Sequence, residues 1–190
     1  MTGPLARYFE LCDDMSTDQR WYLDGPSGPN DEWLGTALNS GRRYEGGTPL
    51  TCRVHHSGPP LELTMTQDTV PVVSERVAEI FAAYASQDAQ LLPARATESE
   101  AKLWAVNILA NPDCIDEART AEIHRYTAED GRPDRIGQYS MIFGLRIDPA
   151  RAGGHAIFRP RGWDVVVIVN EPLAEALRKA NVRCELKLVF

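Results

Sequence analysis

The chain has 190 residues, 43% of them hydrophobic and 25% charged, which suits one ordinary domain with a sizeable core and excludes wholesale disorder. Lys plus Arg number 20 against 27 for Asp plus Glu, a net charge of −7. That balance argues against nucleic acid, which calls for a concentrated basic surface, and is compatible with a basic protein partner or simply with solubility.

The opening MTGPLARYFELCDDM lacks the apolar core of a secretory signal, and VVVIV at Val165 to Val169 is far short of the roughly 20 apolar residues of a membrane span. A soluble, cytoplasmic protein without membrane contact is expected. Arg7 to Leu11 reads as a first strand. The turn-rich LDGPSGPN, Leu23 to Asn30, leads into DEWLGTAL, where Trp33 and Leu34 are expected to be buried beside the small Gly35. Thr48 to Val54 and Leu61 to Thr66 are predicted strands flanking HHSGPP, a hairpin or wider turn. In the second of them Leu61, Leu63 and Met65 alternate with Glu62, Thr64 and Thr66, the period of a half-buried strand.

Next comes a unit that is used twice. Val70, Val72 and Val73 read as a strand, and Ser74 is a suitable helix N-cap. Val77, Ile80, Phe81 and Tyr84 then fall on one helical face. At Ile168 to Leu177 the pattern returns: Asn170 takes the cap position, Pro172 the first turn, and Leu173, Ala176, Leu177 and Ala180 the same face. Phe81 and Leu177 are therefore expected to be deeply buried at equivalent positions. Between the copies Leu103 to Leu109 reads as a strand, and ANPDCIDEAR turns sharply at Pro112. Ala121 to Tyr126 and Ile136 to Ile147 read as strands joined by TAEDGRPD, whose Asp-Gly pair signals a hairpin. AIFR is a short strand, WDVVVIV the strand feeding the second helix, and Val182 to Phe190 a closing strand with Val182, Cys184, Leu186 and Leu188 on one face.

Little of the candidate chemistry survives inspection. A phosphate cradle needs glycines for close backbone approach, whereas both strand-cap-helix junctions place a glutamate directly after the cap, which favours the helix dipole and repels a phosphate. The duplicated unit is scaffolding. Cys12, Cys52, Cys114 and Cys184 stand far apart with no zinc spacing, so reduced, mostly buried thiols are expected and neither metal nor cofactor is called for. His55 and His56 lie beside a turn and point opposite ways in an extended segment; His124 and His155 have no nucleophile or carboxylate within a recognisable motif. Asp113, Cys114 and Asp116 could form a carboxylate pair around a thiol, but shaping the turn after Pro112 explains them as well.

Several pieces, taken in order, resemble a bacterial family: EWLGTAL, VVSERVAEI, LWAVNILANPDCID, HAIFRPRGWDVVVIVNEPLAEAL and the last apolar strand. Together they are similar to the Imm-eleven family of immunity proteins from polymorphic-toxin systems, over roughly Trp33 to Val189. The matching positions are Trp33 and Gly35; Ser74, Glu75 and Arg76; Asn107, Asp113 and Asp116; Ile157, Phe158 and Arg159; and Glu171 and Leu173. Asn170 and Pro172 depart from the pattern, as does NVRCELKLV, which lacks a glycine before the final strand. The resemblance implies a non-enzymatic inhibitor made beside a toxin and blocking it in the producing cell.

The expected fold is one α+β domain, a mixed and largely antiparallel sheet with a few packed helices and two loosely similar strand-cap-helix units whose halves meet near residues 94–102. The expected function is binding a cognate protein toxin, with a cytosolic adaptor, or a small enzyme built on Asp113, Cys114 and Asp116, as alternatives. Since the apolar faces are consumed by the core, the loops remain for a partner. Their densest negative groups are Asp24, Asp31 and Glu32, and Asp113, Asp116 and Glu117, which suit a basic toxin. Toxin identity and oligomeric state stay open.

Overall fold

The structure is a computed structural model that describes residues 6–16 and 19–190. Along the chain come β1 (Tyr8–Asp13), β2 (Tyr22–Leu23), the single-turn helix α1 (Gly35–Leu38), β3 (Leu50–Cys52), β4 (Val54–His56), β5 (Leu63–Met65) and β6 (Pro71–Ser74). There follow α2 (Glu75–Ala85), β7 (Ala89–Ala96), β8 (Leu103–Ile108), β9 (Glu122–Arg125), β10 (Tyr139–Phe143), β11 (Ile157–Phe158), β12 (Ile168–Asn170), α3 (Glu171–Lys179) and β13 (Cys184–Leu188). One sheet has the order β3-β7-β8-β6-β5 and is antiparallel except between β3 and β7. The other, β11-β12-β1-β13, is antiparallel throughout, and two small ribbons pair β2 with β4 and β9 with β10. The class is α+β, as expected.

The duplicated unit extends further than the strand, cap and helix. Ser74 accepts the Val77 N–H at 3.4 Å and Asn170 the Leu173 N–H at 3.0 Å, so each cap satisfies a free donor of its own helix. Around them β5-β6-α2-β7-β8 and β11-β12-α3-β13-β1 have the same strand order and the same directions. The likeness holds residue by residue. Val73 stands opposite Leu63 and Trp104, and Val169 opposite Ile157 and Phe9. Leu91 faces Val106, and Leu186 faces Leu11. The second unit is thus a permuted copy whose last strand, β1, comes from the start of the chain.

The two helices pack on each other, and the inner residues of both units share one core: Val73, Val77, Phe81 and Val106 with Leu11, Val169, Leu173 and Leu177. Phe81 is 1% exposed and Leu177 0%. The outer face of the first sheet (Val72, Leu92, Ala94, Ala105) is covered by Trp21, Leu23, Leu34 and Leu38 from the N-terminal excursion. Tyr8, Phe158 and Ile168 of the second are covered by Cys114, Ile115, Leu145 and Ile147. Because both faces of each sheet are covered, neighbouring residues such as Val72 and Val73 are both buried.

That double cover accounts for several differences from the sequence reading. Thr64 and Thr66 are buried where alternation places them outside, and the Trp21 indole N–H donates to the Thr64 hydroxyl at 2.8 Å. Thr48–Val54 breaks into β3 and β4, and β3 and β5 lie on opposite edges of their sheet, so HHSGPP closes no hairpin. The hairpin signalled by the Asp-Gly pair does form, with β9 and β10 antiparallel, but its connection is longer than a tight turn. Thr127 and Asp130 cap a 3-10 turn that Gly131 ends in the left-handed region, and the paired strands shorten to β9 and β10. WDVVVIV is regular only from Ile168. Tyr84 is exposed and Ala85 takes the buried place at the end of α2, while Leu188 is exposed and Val189 buried at the end of β13.

Candidate functional site

The largest departure from expectation is Trp33, which is 59% exposed on the wall of a cleft of ≈ 580 Å³. The cleft is lined by the loop before α1 (Asp24, Gly25, Ser27, Asp31), the β3–β4 segment (Thr51, Arg53, His55), and Gln67 and Asp68 between β5 and β6. Ser27 and Thr51 exchange backbone hydrogen bonds of 2.8 Å in both directions, which anchors the loop to β3. Two glycines then make room for a carboxylate. A Cβ on Gly25 would lie 1.5 Å from Asp68 Oδ2, and one on Gly35 would lie 2.5 Å from the Asp68 carboxyl and 2.6 Å from the Trp33 ring. Asp68 is lodged in that niche and accepts the Trp33 indole N–H at 2.7 Å. The tryptophan-x-glycine pattern is therefore a holder for an exposed ring, with Leu34 alone turned into the core.

The charges around the cleft are of both signs. Asp24 accepts from Arg53 Nε at 2.7 Å and stands 3.5 Å from His55 Nδ1. Asp31 sits on the rim with φ 66°, a left-handed conformation that Asp tolerates better than most residues. Among the described residues neither Asp31 nor Asp68 has a salt-bridge partner. Glu32 turns away from the cleft: its carboxylate folds over Gly28 and accepts the Asn30 N–H at 3.0 Å.

The second acidic group is spread along the approach to β9. Asp113 is exposed, with Arg151 at 3.9 Å. Asp116 shapes a turn, accepting the Arg119 N–H at 3.1 Å and Arg119 Nε at 2.5 Å, and these bonds hold its carboxyl below the usual range. Glu117 accepts the Tyr139 hydroxyl and an Arg125 guanidinium N–H, each at 2.6 Å, and is lowered likewise. Through that pair Glu117 braces the β9–β10 ribbon, whose outward face carries exposed Met141 and Phe143. All three acids thus face arginines on their own surface, Asp113 at the longest distance.

Cys114, between Asp113 and Asp116, is 0% exposed, and burial pushes its thiol up to about 12, the opposite of what a nucleophile requires. All four cysteines are free thiols, with Cys52 and Cys114 buried and the other two half-buried. The histidines go to separate places: His55 beside Asp24, His56 edge-on to Tyr22, His124 on Glu122 and His155 on Asp88. Among the described residues no three His, Cys, Asp or Glu side chains gather to hold a metal ion, and no helix is long and apolar enough to cross a membrane.

A residue without an assigned role in the sequence reading ties the second sheet to the turn beside the cleft. Arg159, 2% exposed at the end of β11, donates to the Thr69 carbonyl at 2.7 Å, to the Thr69 hydroxyl at 3.2 Å and to the Asp164 carbonyl. Burial draws its guanidinium down to about 10, and Asp164 works the other way. Arg159 thereby ties the second sheet to Thr69, next to Asp68. The signal was present in the family pattern Ile157-Phe158-Arg159, but nothing local shows where a buried arginine finds its acceptors.

Compared with known families, the chain matches the Immunity protein family (Imm11) over residues 3–184 and belongs to it. No curated protein matches the chain.

Proposed function

We propose that this member of the immunity protein family (Imm11) binds a cognate protein toxin in the cytosol of the cell that makes it and neutralises it by covering a surface the toxin needs. Family membership is the observation that carries the reading. The surface supports a location: Asp24 and Asp31 at the Trp33 cleft, Glu32 on the same loop, and Asp113, Asp116 and Glu117 beside the β9–β10 ribbon are the carboxylates that a basic partner would meet. The net charge of −7 over the whole chain steers such a partner from a distance. Inhibition by contact needs no chemistry from this chain, and the buried Cys114 agrees with that role.

The test is a pull-down with the protein encoded beside this chain, followed by association rates as a function of salt. Asp31 and Asp113 are the members of each cluster least engaged with neighbouring arginines. In the double variant Asp31→Lys, Asp113→Lys, association should slow roughly tenfold at low salt, with dissociation little changed. A rate that ignores both salt and the variant rules out electrostatic recognition at these loops, and the absence of any complex rules out the function.

A further inference from the structure

We propose that the Trp33 cleft is a receptor for one cationic side chain, an arginine or lysine projecting from the protein partner. The inference rests on the reading that this chain binds a protein, and specifies the chemistry of that contact. Trp33 is a large aromatic left in the open, and it is not loose: its N–H is committed to Asp68 at 2.7 Å, and Asp68 is lodged against Gly25 and Gly35. An exposed tryptophan fixed in a concavity is the kind of residue that dominates binding energy when a partner side chain desolvates it. With the N–H edge occupied, the exposed remainder of the ring is its π surface, which attracts cations.

The neighbouring charges choose the sign. The cleft wall holds three carboxylates, Asp24, Asp31 and Asp68, against Arg53 and His55. Asp24 is matched by Arg53 at 2.7 Å, so the uncompensated groups are Asp31 and Asp68. An anionic group entering here meets both. An apolar one strips water from both without replacing it. A guanidinium or ammonium satisfies the carboxylates and lies on the ring in the same act, and guanidinium, being planar, does both at once with the better geometry. The cleft, ≈ 580 Å³, has ample room for one such side chain and the backbone that carries it. The Ser27–Thr51 backbone pair and the Trp33–Asp68 bond hold the walls before any partner arrives, so little ordering entropy is lost on binding.

The test needs no toxin. The peptides acetyl-Gly-Arg-Gly-amide and acetyl-Gly-Lys-Gly-amide, and the uncharged isostere with citrulline for arginine, are titrated into the full chain while tryptophan fluorescence is followed. Asp31→Asn keeps a side chain that accepts the left-handed backbone, and Trp33→Phe tests the origin of the signal; the fold of both is checked by circular dichroism. A cationic peptide should give a saturable change in the millimolar range, about tenfold weaker for citrulline, several-fold weaker in Asp31→Asn, and abolished in Trp33→Phe. The relative strength of the arginine and lysine peptides identifies the cation. Equal binding of the citrulline peptide, or no saturable change with either cation, overturns the proposal. Either result leaves toxin binding standing, since only failure of the pull-down removes that.

Discussion

At the scale of single residues, several half-buried or exposed carboxylates are engaged by hydrogen bonds from arginines and hydroxyls. Hydrogen bonds from Ser16, with help from Arg183, hold the Asp14 carboxyl at about 2. Glu62 is lowered by Arg76, Asp148 by Arg151, Asp116 by Arg119, and Glu117 by the Tyr139 hydroxyl and Arg125. Each group binds its proton less well in the folded protein than in the unfolded chain. Its stabilising contribution is therefore complete above the ordinary carboxylate range and disappears as pH falls through the folded value. The melting temperature should be nearly flat from pH 7 to about 5, then fall steadily between about pH 4 and 2. A melting temperature unchanged at pH 2 would show that these pairs contribute nothing. Sequence alone marks Asp116 and Glu117 as a dense acidic stretch but not their arginine partners, because Arg125 and Arg119 reach them only once the turn and the ribbon have formed.

At the scale of elements, what was legible is what is local. The caps Ser74 and Asn170 and the apolar positions of α2 and α3 stand at helical spacing, and they form the helices they announce. Phe81 and Leu177 occupy equivalent places in one shared core, so truncation at either should be felt by both units. Phe81→Ala should destabilise by about 3–5 kcal/mol and Leu177→Ala by about 2–5 kcal/mol in denaturant unfolding. A loss below about 1 kcal/mol at either would mean that the site is not packed as described. Elements whose partners are distant were read less well. Trp33 looked like a core residue because tryptophan beside leucine and glycine usually is one, and only Asp68, brought in by the turn between β5 and β6, shows why its ring stays outside. Thr48–Val54 and Leu61–Thr66 were adjacent strands in sequence, yet β7, β8 and β6 stand between them in the sheet.

At the scale of the molecule, the two strand-cap-helix units correspond in strand order but not in chain order. The first unit is contiguous, whereas the second borrows β1, so no alignment of the halves in chain order can show the whole correspondence. The equivalent of the β7–β8 hairpin is the gap between the chain's end and its start: Val189 donates to the Tyr8 carbonyl at 3.0 Å, as Leu103 stands opposite Ala94. A chain reopened between Thr97 and Lys102, with its former ends joined by a short Gly-Ser linker, should fold and keep its melting temperature within roughly 10 °C. An unfolded product would show that the correspondence has no physical standing. The two units share one core, and both acidic clusters lie on the excursions that cover their outer faces.

Protection by contact, as proposed for this chain, is tested most directly by growth rescue. The product of the neighbouring gene is induced in a bacterial host with and without the chain, and growth is followed. Growth should be restored by the wild-type chain in proportion to its level, reaching full rescue once the chain is in excess over the toxin. A toxin that arrests growth equally in the presence of excess, soluble chain would contradict the claim.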